Sequence, residues 1–450
     1  MDILFLSTEL APFERFGGLA DVTLALAKTL RQLGHRVVVA LPKSKGFTES
    51  GLLLARKLTP LKVETSRGET EIVVHDGRLS SMVEIVLLEN DAFREPMTPA
   101  ENDWSKYELF GRAVAELLKE RAFDIVHVHD APGSLVAPYV KAVAEGAARP
   151  KFVLTVHHHN SPDLTWNAKD HGLEGTSSWL SSVAPAYDAI TAVGPTFAES
   201  ITTAKVTGIL NGIDYATWNP ATDSLIASRY DAENNTAKGV CRGALLKEVG
   251  MAVGSTEPLV LSLGRISTAK GSDLLAASLP TLLKQSDARW VIGGSGDASI
   301  IASFQAVASA SEGRVVFIEN PSDDQVHHLF AGSDYFVMPS RTEPCGLTQQ
   351  YAQRYGTVPV VRHVGGLRDC VTNCDADLRT GTGFSFEEDE AFVPAVLRAL
   401  GHYGSTAFTT LVQRMMRLER SWDRPSRRYE RIYKGLLPSV GSVEQIAQAR

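Results

Sequence analysis

Cysteine is scarce: only Cys241, Cys345, Cys370 and Cys374 occur in 450 residues. So few thiols in so long a chain fit a reducing, cytoplasmic compartment rather than a disulfide-stapled one. Cys370 and Cys374 lie close in sequence, but no second pair completes a zinc-site spacing, so no metal is expected. A cationic excess is also missing. The formal net charge is −7, which argues against nucleic acid as the main partner. No run of about 18 apolar residues is present, so no membrane-spanning helix is expected. The opening stretch MDILFLSTELAP lacks a basic n-region and carries Asp2, and it reads as a first strand rather than a signal peptide. The glycine pair near the start does not sit in a G-x-G-x-x-G run, which weakens a dinucleotide-binding reading. No internal repeat or low-complexity tract stands out.

What is present is the composition of a soluble globular protein, with 44% hydrophobic and 22% charged residues. The length calls for two or three domains. Short apolar runs alternate with helix-length segments. The first series of strands is expected at Asp2–Ser7, Arg36–Leu41, Ser81–Leu88, Asp124–His129, Lys151–His157 and Ala189–Val193, with helices such as Leu19–Leu33 and Tyr107–Arg121. A second series follows at Leu259–Leu263, Arg289–Gly293, Arg314–Ile318, Tyr335–Met338 and Val358–Arg362. This pattern predicts an α/β chain with two Rossmann-like, doubly wound parallel sheets facing across a cleft. The join is expected within the turn-rich stretch Asn234–Pro258, giving domains 1–238 and 239–420 and a tail 421–450. The basic stretch of that tail (Arg427, Arg428, Arg431, Lys434) reads as a solvated helix face.

Ligands of doubly wound sheets bind beyond the carboxyl ends of the strands, so the strand-end loops carry the functional reading. Arg15-Phe16-Gly17-Gly18 follows the first strand and opens a helix. Paired glycines let a ligand approach the backbone, and a helix amino end suits a phosphate; a plain tight turn is the bland alternative. Gly264-Arg265-Ile266-Ser267-Thr268-Ala269-Lys270-Gly271 follows the first strand of the second series. Its two cations suit a leaving pyrophosphate, Arg as a fork and Lys as a point charge, although a surface ion-pair role is common. The third stretch, Pro339 to Gln353, stops a strand at Pro339 and starts a helix near Leu347. Gly346, Leu347 and Thr348 would present amides there, with Glu343 near a sugar ring; a Glu-capped turn is the bland reading.

Weaker signals are Asp130 and His157 at strand ends, the turn Asn211-Gly212-Ile213-Asp214, and the glycine-rich loop Gly293-Gly294-Ser295-Gly296. His157-His158-His159 invites a metal reading, but adjacent residues on an extended segment face opposite ways and rarely chelate one ion.

In order along the chain, the runs GGLADV (17–22), HD (129–130), TVH (155–157), NGID through WNPATD (211–223), KGSDLL (270–275), PSRTEPCGLTQ (339–349) and the stretch from Tyr355 to Asp369 resemble the bacterial glycogen synthase and plant starch synthase family. The resemblance runs nearly end to end. It implies a GT-B glycosyltransferase with its last helix crossing back onto the first domain. It also implies transfer of glucose from ADP-glucose to an α-1,4-glucan, with retention and without a metal or other cofactor. Carried over by position, Arg265 and Lys270 would hold the diphosphate and the Gly18 amide would touch it. Glu343 would face the donor sugar. The amides after Cys345 would bind its hydroxyls, and Asp130 and His157 would line the sugar and acceptor side. Arg15, Gly17, Asn211 and Gly294 complete the expected donor-binding set. Departures from the family pattern fall at Arg15 (usually Lys), at Asn320-Pro321 (usually an aromatic on the base), at Gly194 (usually Ser) and in the short link Thr202–Thr207. These departures raise an alternative. It is a secondary-metabolism relative or pseudoglycosyltransferase joining a GDP-, UDP- or dTDP-linked sugar or cyclitol to a small sugar or amino-sugar acceptor. A non-catalytic glucan binder and a pyridoxal-dependent phosphorylase are further readings.

Overall fold

The computed structural model describes residues 1–97, 104–143, 149–158, 166–173, 178–254 and 256–438. The chain divides into two compact units, Met1–Gly212 with Trp422–Arg450, and Ile213–Ser421. The first division therefore lies at Gly212 and Ile213, ahead of the expected 238/239 join. The stretch from Ile213 to Lys238, expected in the first domain, is bound into the second unit. Trp218 stacks between His327 (4.2 Å) and Tyr351 (4.0 Å). Asp223 accepts from His327 (2.7 Å) and Tyr355 (2.5 Å).

The first unit is built on a sheet of β1 (Asp2–Leu6), β2 (Arg36–Pro42), β3 (Leu54–Arg56), β4 (Leu61–Thr65), β5 (Gly68–Arg78), β6 (Glu84–Glu89), β7 (Ile125–His129), β8 (Lys151–Val156), β9 (Ala189–Ala192) and β10 (Thr207–Gly208). Its order is β10-β9-β8-β7-β1-β2-β6-β5-β3, with β4 on β5. The central strands pair in parallel, and β7 is buried along its whole length, as expected for a sheet covered on both faces. The expected all-parallel sheet is corrected at one edge: β3 and β4 pair antiparallel with β5, and β5 with β6. The run GETEIVVHDGR of β5 carries charges and no continuous apolar core signal, so periodicity passed over it.

The helix Gly18–Gln32 buries Leu19, Val22, Leu26 and Leu30, a stripe at helical spacing, and has Asp21 in its first turn, where a helix amino end favours a carboxylate. The helix Asp423–Leu436 belongs to this unit and buries Tyr429 and Tyr433. The Tyr433 hydroxyl hydrogen-bonds His127 Nδ1 on β7 (2.7 Å). Arg427, Arg428, Arg431 and Lys434 lie on its exposed side.

The second unit has an all-parallel sheet of β11 (Leu259–Leu263), β12 (Arg289–Gly294), β13 (Val315–Glu319), β14 (Tyr335–Met338), β15 (Val358–Arg362) and β16 (Phe384–Phe386). The order is β13-β12-β11-β14-β15-β16. In both units the strand order reverses once beside the first strand, between β1 and β7 and between β11 and β14. At such a switch point neighbouring strands send their connections to opposite faces, which opens a crevice at their carboxyl ends.

Among the described residues no helix is long and apolar enough to cross a membrane.

Candidate functional site

In the first unit the loops after β1 and β7 meet the switch point. Glu9, buried just after β1, accepts from the amides of Phe16 (2.9 Å) and Gly17 (3.0 Å). Burial raises its pKa, against the lowering effect of those two amides. Arg15 docks on Asp21, its Nη2 lying 3.1 and 2.9 Å from the two carboxylate oxygens. Gly17 is extended, and a Cβ there would meet open space, so packing does not demand glycine. Gly18 is the first helical residue.

Asp130 follows β7 with φ +66° and ψ −175°, a strained conformation for a residue with a side chain, costing on the order of 1–3 kcal/mol. Its carboxylate is held by three donors. Oδ1 accepts from the amides of His157 (3.4 Å) and His158 (3.3 Å), and Oδ2 pairs with His158 Nδ1 (2.8 Å). Burial pushes the Asp130 pKa up, but the His158 bonds and charge outweigh it and hold the group below its usual value. On the next strand end, His157 Nε2 meets His129 Nδ1 at 3.1 Å. Burial, with His129 adding to it, lowers the His157 pKa to about 3, so the imidazole is neutral at pH 7.

The loops after β11 and β14 meet the second switch point. The loop after β11 turns back as a short 3-10 turn, Thr268–Lys270, capped by the Ser267 side chain. Gly271 ends it at φ +68°, and a Cβ there would collide with the carbonyl of Pro339. Only glycine therefore lets this turn pack against the loop after β14. Arg341 and Thr342 donate their amides to Ala269 O (2.9 and 3.3 Å). This seats Glu343 beside Lys270, with Nζ to Oε2 at 2.5 Å. Glu343 is buried while the Lys270 side chain is one-third exposed, at 34%. From the other side, Gly366 donates its amide to Glu343 O (2.8 Å).

Gly346 sits at φ +71°, with Gln349 packed where a Cβ would lie. Gln349 Nε2 donates to Cys345 O (3.2 Å) and Gly346 O, and Gln350 Nε2 to Gly346 O (3.2 Å). Both glutamines are fully buried. A trans peptide sets its N–H opposite its C=O, so pinning these carbonyls inward turns the N–H groups of Gly346 and Leu347 outward. Among the described residues the N–H groups of Gly346, Leu347 and Thr348 donate to nothing. The helix they introduce, Thr348–Arg354, has only seven residues, so the aimed amides matter here more than a helix dipole.

The structure thus brings Lys270 together with Glu343, and Asp130 together with His157. Arg265 is exposed on the same strand-end loop as Lys270. Cys345 is buried beneath the amide turn. Three expectations shift. The Gly17 amide is committed to Glu9, Arg15 to Asp21, and Gly294 to close backbone packing, since a Cβ would strike Gly264 O. Asn211 is buried at the end of the first unit. The histidine run does not converge: His157 turns to His129 and His158 to Asp130, while His159 lies outside the described residues. Among the described residues no group of three or more His, Cys, Asp or Glu could hold a metal ion.

Sequence reasoning passed over Glu9, His129, Arg341, Gln349 and Gln350 as functional residues. Glu9 could have been found as a carboxylate directly after the first strand. The two glutamines carry no comparable signal, because the helix they lie on, TQQYAQR, is polar at most positions.

A model of the starch synthase catalytic domain matches residues 2–213, and one of group 1 glycosyl transferases matches residues 251–404. A glycogen synthase of Thioalkalivibrio sulfidiphilus is 33% identical, covering 97% of this chain and 100% of that protein. A glycogen synthase 2 of Geobacter sulfurreducens is also 33% identical, covering 96% of this chain and 98% of its own. The first of these alignments spans 489 positions, more than the 450 of this chain, so that relative carries segments this chain lacks. The catalytic domain of starch synthase IV from Arabidopsis thaliana, bound to ADP and acarbose, matches with a TM-score of 0.87 at 26% identity, over 97% of this chain and 99% of that one. A sucrose-phosphate synthase from Thermosynechococcus elongatus matches in fold, with a TM-score of 0.66 at 14% identity over 97% of this chain and 98% of that one.

Proposed function

The chain belongs to the glycogen and starch synthase family of GT-B hexosyltransferases, and on that premise we propose that it moves glucose from ADP-glucose to the end of an α-1,4-glucan with retention. One observation carries the site assignment: the ion pair of Lys270 and Glu343 at a topological switch point, Nζ to Oε2 2.5 Å. Cleavage of the anomeric C–O bond develops positive charge on the sugar and negative charge on the leaving diphosphate, one bond apart. A fixed carboxylate beside a fixed ammonium is a charge pair of matching spacing and opposite sense. In this reading Glu343 faces the sugar, and Lys270 and Arg265 hold the diphosphate. The Gly18 amide takes a phosphate oxygen, since the Gly17 amide already serves Glu9.

The outward amides of Gly346, Leu347 and Thr348 take sugar hydroxyls. Asp130 and His157 take the sugar and acceptor side, with His157 as a neutral hydrogen-bonding group. Retention follows when the acceptor hydroxyl attacks from the face that the diphosphate leaves and passes its proton to the departing phosphate oxygen. No protein nucleophile is required. ADP is proposed as the carrier because the starch synthase IV match holds ADP and the full-length relatives are glycogen synthases. Those relatives do not favour the small-acceptor alternative. The four cysteines are buried and joined in no disulfide, which suits the cytoplasm.

The test is a transfer assay across ADP-, UDP-, GDP- and dTDP-glucose with glycogen as acceptor, repeated with Glu343→Ala and Lys270→Ala. The reading predicts preference for ADP-glucose and a loss of about 100-fold or more in kcat for each variant. Unchanged turnover in both variants overturns the site. Preference for another base overturns the donor.

A further inference from the structure

Arg341, the third residue of the loop after β14, makes a side-chain junction of three hydrogen bonds near the site. Its Nη1 donates to the carbonyl of Thr268 and to Asp273 Oδ1, each at 2.7 Å. Its Nη2 donates to Asp389 Oδ2 (3.1 Å). Arg362, which donates to Glu387 O (2.6 Å), fixes the other oxygen of Asp389. Thr268 belongs to the turn that carries Lys270, Asp273 opens the helix after that turn, and Asp389 lies beyond β16. The planar guanidinium therefore ties three segments to the backbone that leads directly to Glu343. Lysine offers no fork that could span these acceptors together.

We propose that Arg341 is a positioning residue for glycosyl transfer: it sets the apposition of Lys270 and Glu343 without touching the substrate. The proposal rests on the roles given above to that pair. The two amide bonds from Arg341 and Thr342 to Ala269 O survive any side-chain replacement, so the loop stays attached while its tilt is released. A small misplacement of the pair then weakens stabilisation of the separating charges.

The test is a double-mutant cycle with the full chain, ADP-glucose and glycogen. Arg341→Met and Arg341→Lys are each made alone and in the Lys270→Met background, and kcat, KM and the thermal midpoint are measured for all. The proposal predicts that both Arg341 variants lower kcat/KM by about tenfold or more, mostly through kcat. In the Lys270→Met background the further loss falls below about twofold, while the shift in thermal midpoint is the same in both backgrounds. An equal fold-loss in both backgrounds, or no loss in the native background, overturns it. If Lys270→Met alone leaves kcat/KM unchanged, the failure lies in the role of Lys270 and takes this proposal with it. Should the Arg341 variants fail to fold, Asp273→Asn removes one of the guanidinium's anchors, and the same cycle with Lys270→Met decides by the same criterion.

Discussion

His127 and His129 on β7 and His157 just after β8 sit almost without solvent contact, and burial lowers the pKa of each. His127 and His157 titrate at about 3, whereas in an unfolded chain each would titrate near 6.5. Between those values the unfolded chain binds more protons than the folded one, so stability falls as pH drops from about 6.5 towards 3. The slope is about 1.4 kcal/mol per pH unit for each histidine. Urea unfolding at pH 7.5, 6.5 and 5 is expected to show a steep loss below 6.5, reduced by His127→Gln. A flat profile down to pH 5 contradicts the burial argument.

Gly346 supplies a second residue-scale prediction. Its φ of +71° and the Gln349 side chain beside it leave no place for a methyl group. Gly346→Ala is expected to shift the turn and lower kcat/KM by at least about tenfold. The loss should shrink with a donor whose sugar lacks a hydroxyl that the turn would bind, measured by comparing glucosyl and deoxyglucosyl donors. An equal loss with both donors would separate the turn from sugar recognition.

At the scale of elements, the parallel strands were legible because burial on both faces writes itself as continuous apolar runs. Leu259–Leu263 and Tyr335–Met338 match the reading residue for residue. The antiparallel edge of β3, β4 and β5 was not legible, because partly solvated strands carry charges such as Glu69, Glu71 and Asp76. The boundary at Gly212 was hidden for a related reason. Trp218 and Asp223 are held in the second unit by contacts with His327, Tyr351 and Tyr355, more than a hundred residues on. The strand-end loops could be read as candidates, but the partners that fix them, Glu9 for the Gly17 amide and Arg341 for Lys270's turn, are set by strand order, which periodicity does not encode.

The final helix supplies the element-scale prediction. The Tyr433 hydroxyl lies 2.7 Å from His127 Nδ1, and His127 Nε2 lies 2.6 Å from the Thr155 hydroxyl. Tyr433→Phe keeps the ring and leaves the buried His127 Nδ1 without its hydrogen-bond partner. The expected cost is about 1–3 kcal/mol, read as a lower urea midpoint for the unit containing this helix. No change in midpoint would mean that the hydroxyl contributes nothing to seating the helix.

At the scale of the whole molecule, two sheets of the same winding each place a loop with a buried carboxylate at a switch point: Glu9 and Asp130 in one, Glu343 in the other. The two units nevertheless differ in chemistry. The first offers neutral histidines and restrained carboxylates, suited to hydroxyl groups. The second offers Lys270 and Arg265 on the loop after β11 and outward amides on the loop after β14. The alignment with one glycogen synthase runs over 489 positions against 450 residues here, yet the ion pair and the amide turn stand complete in this chain. The central claim is that Lys270 meets the diphosphate while Glu343 meets the sugar. A crystal structure with ADP-glucose or a non-hydrolysable analogue tests it directly. The account predicts Lys270 Nζ within about 3 Å of a phosphate oxygen and Glu343 against the glucosyl ring; a diphosphate bound away from Lys270 and Arg265 would contradict it.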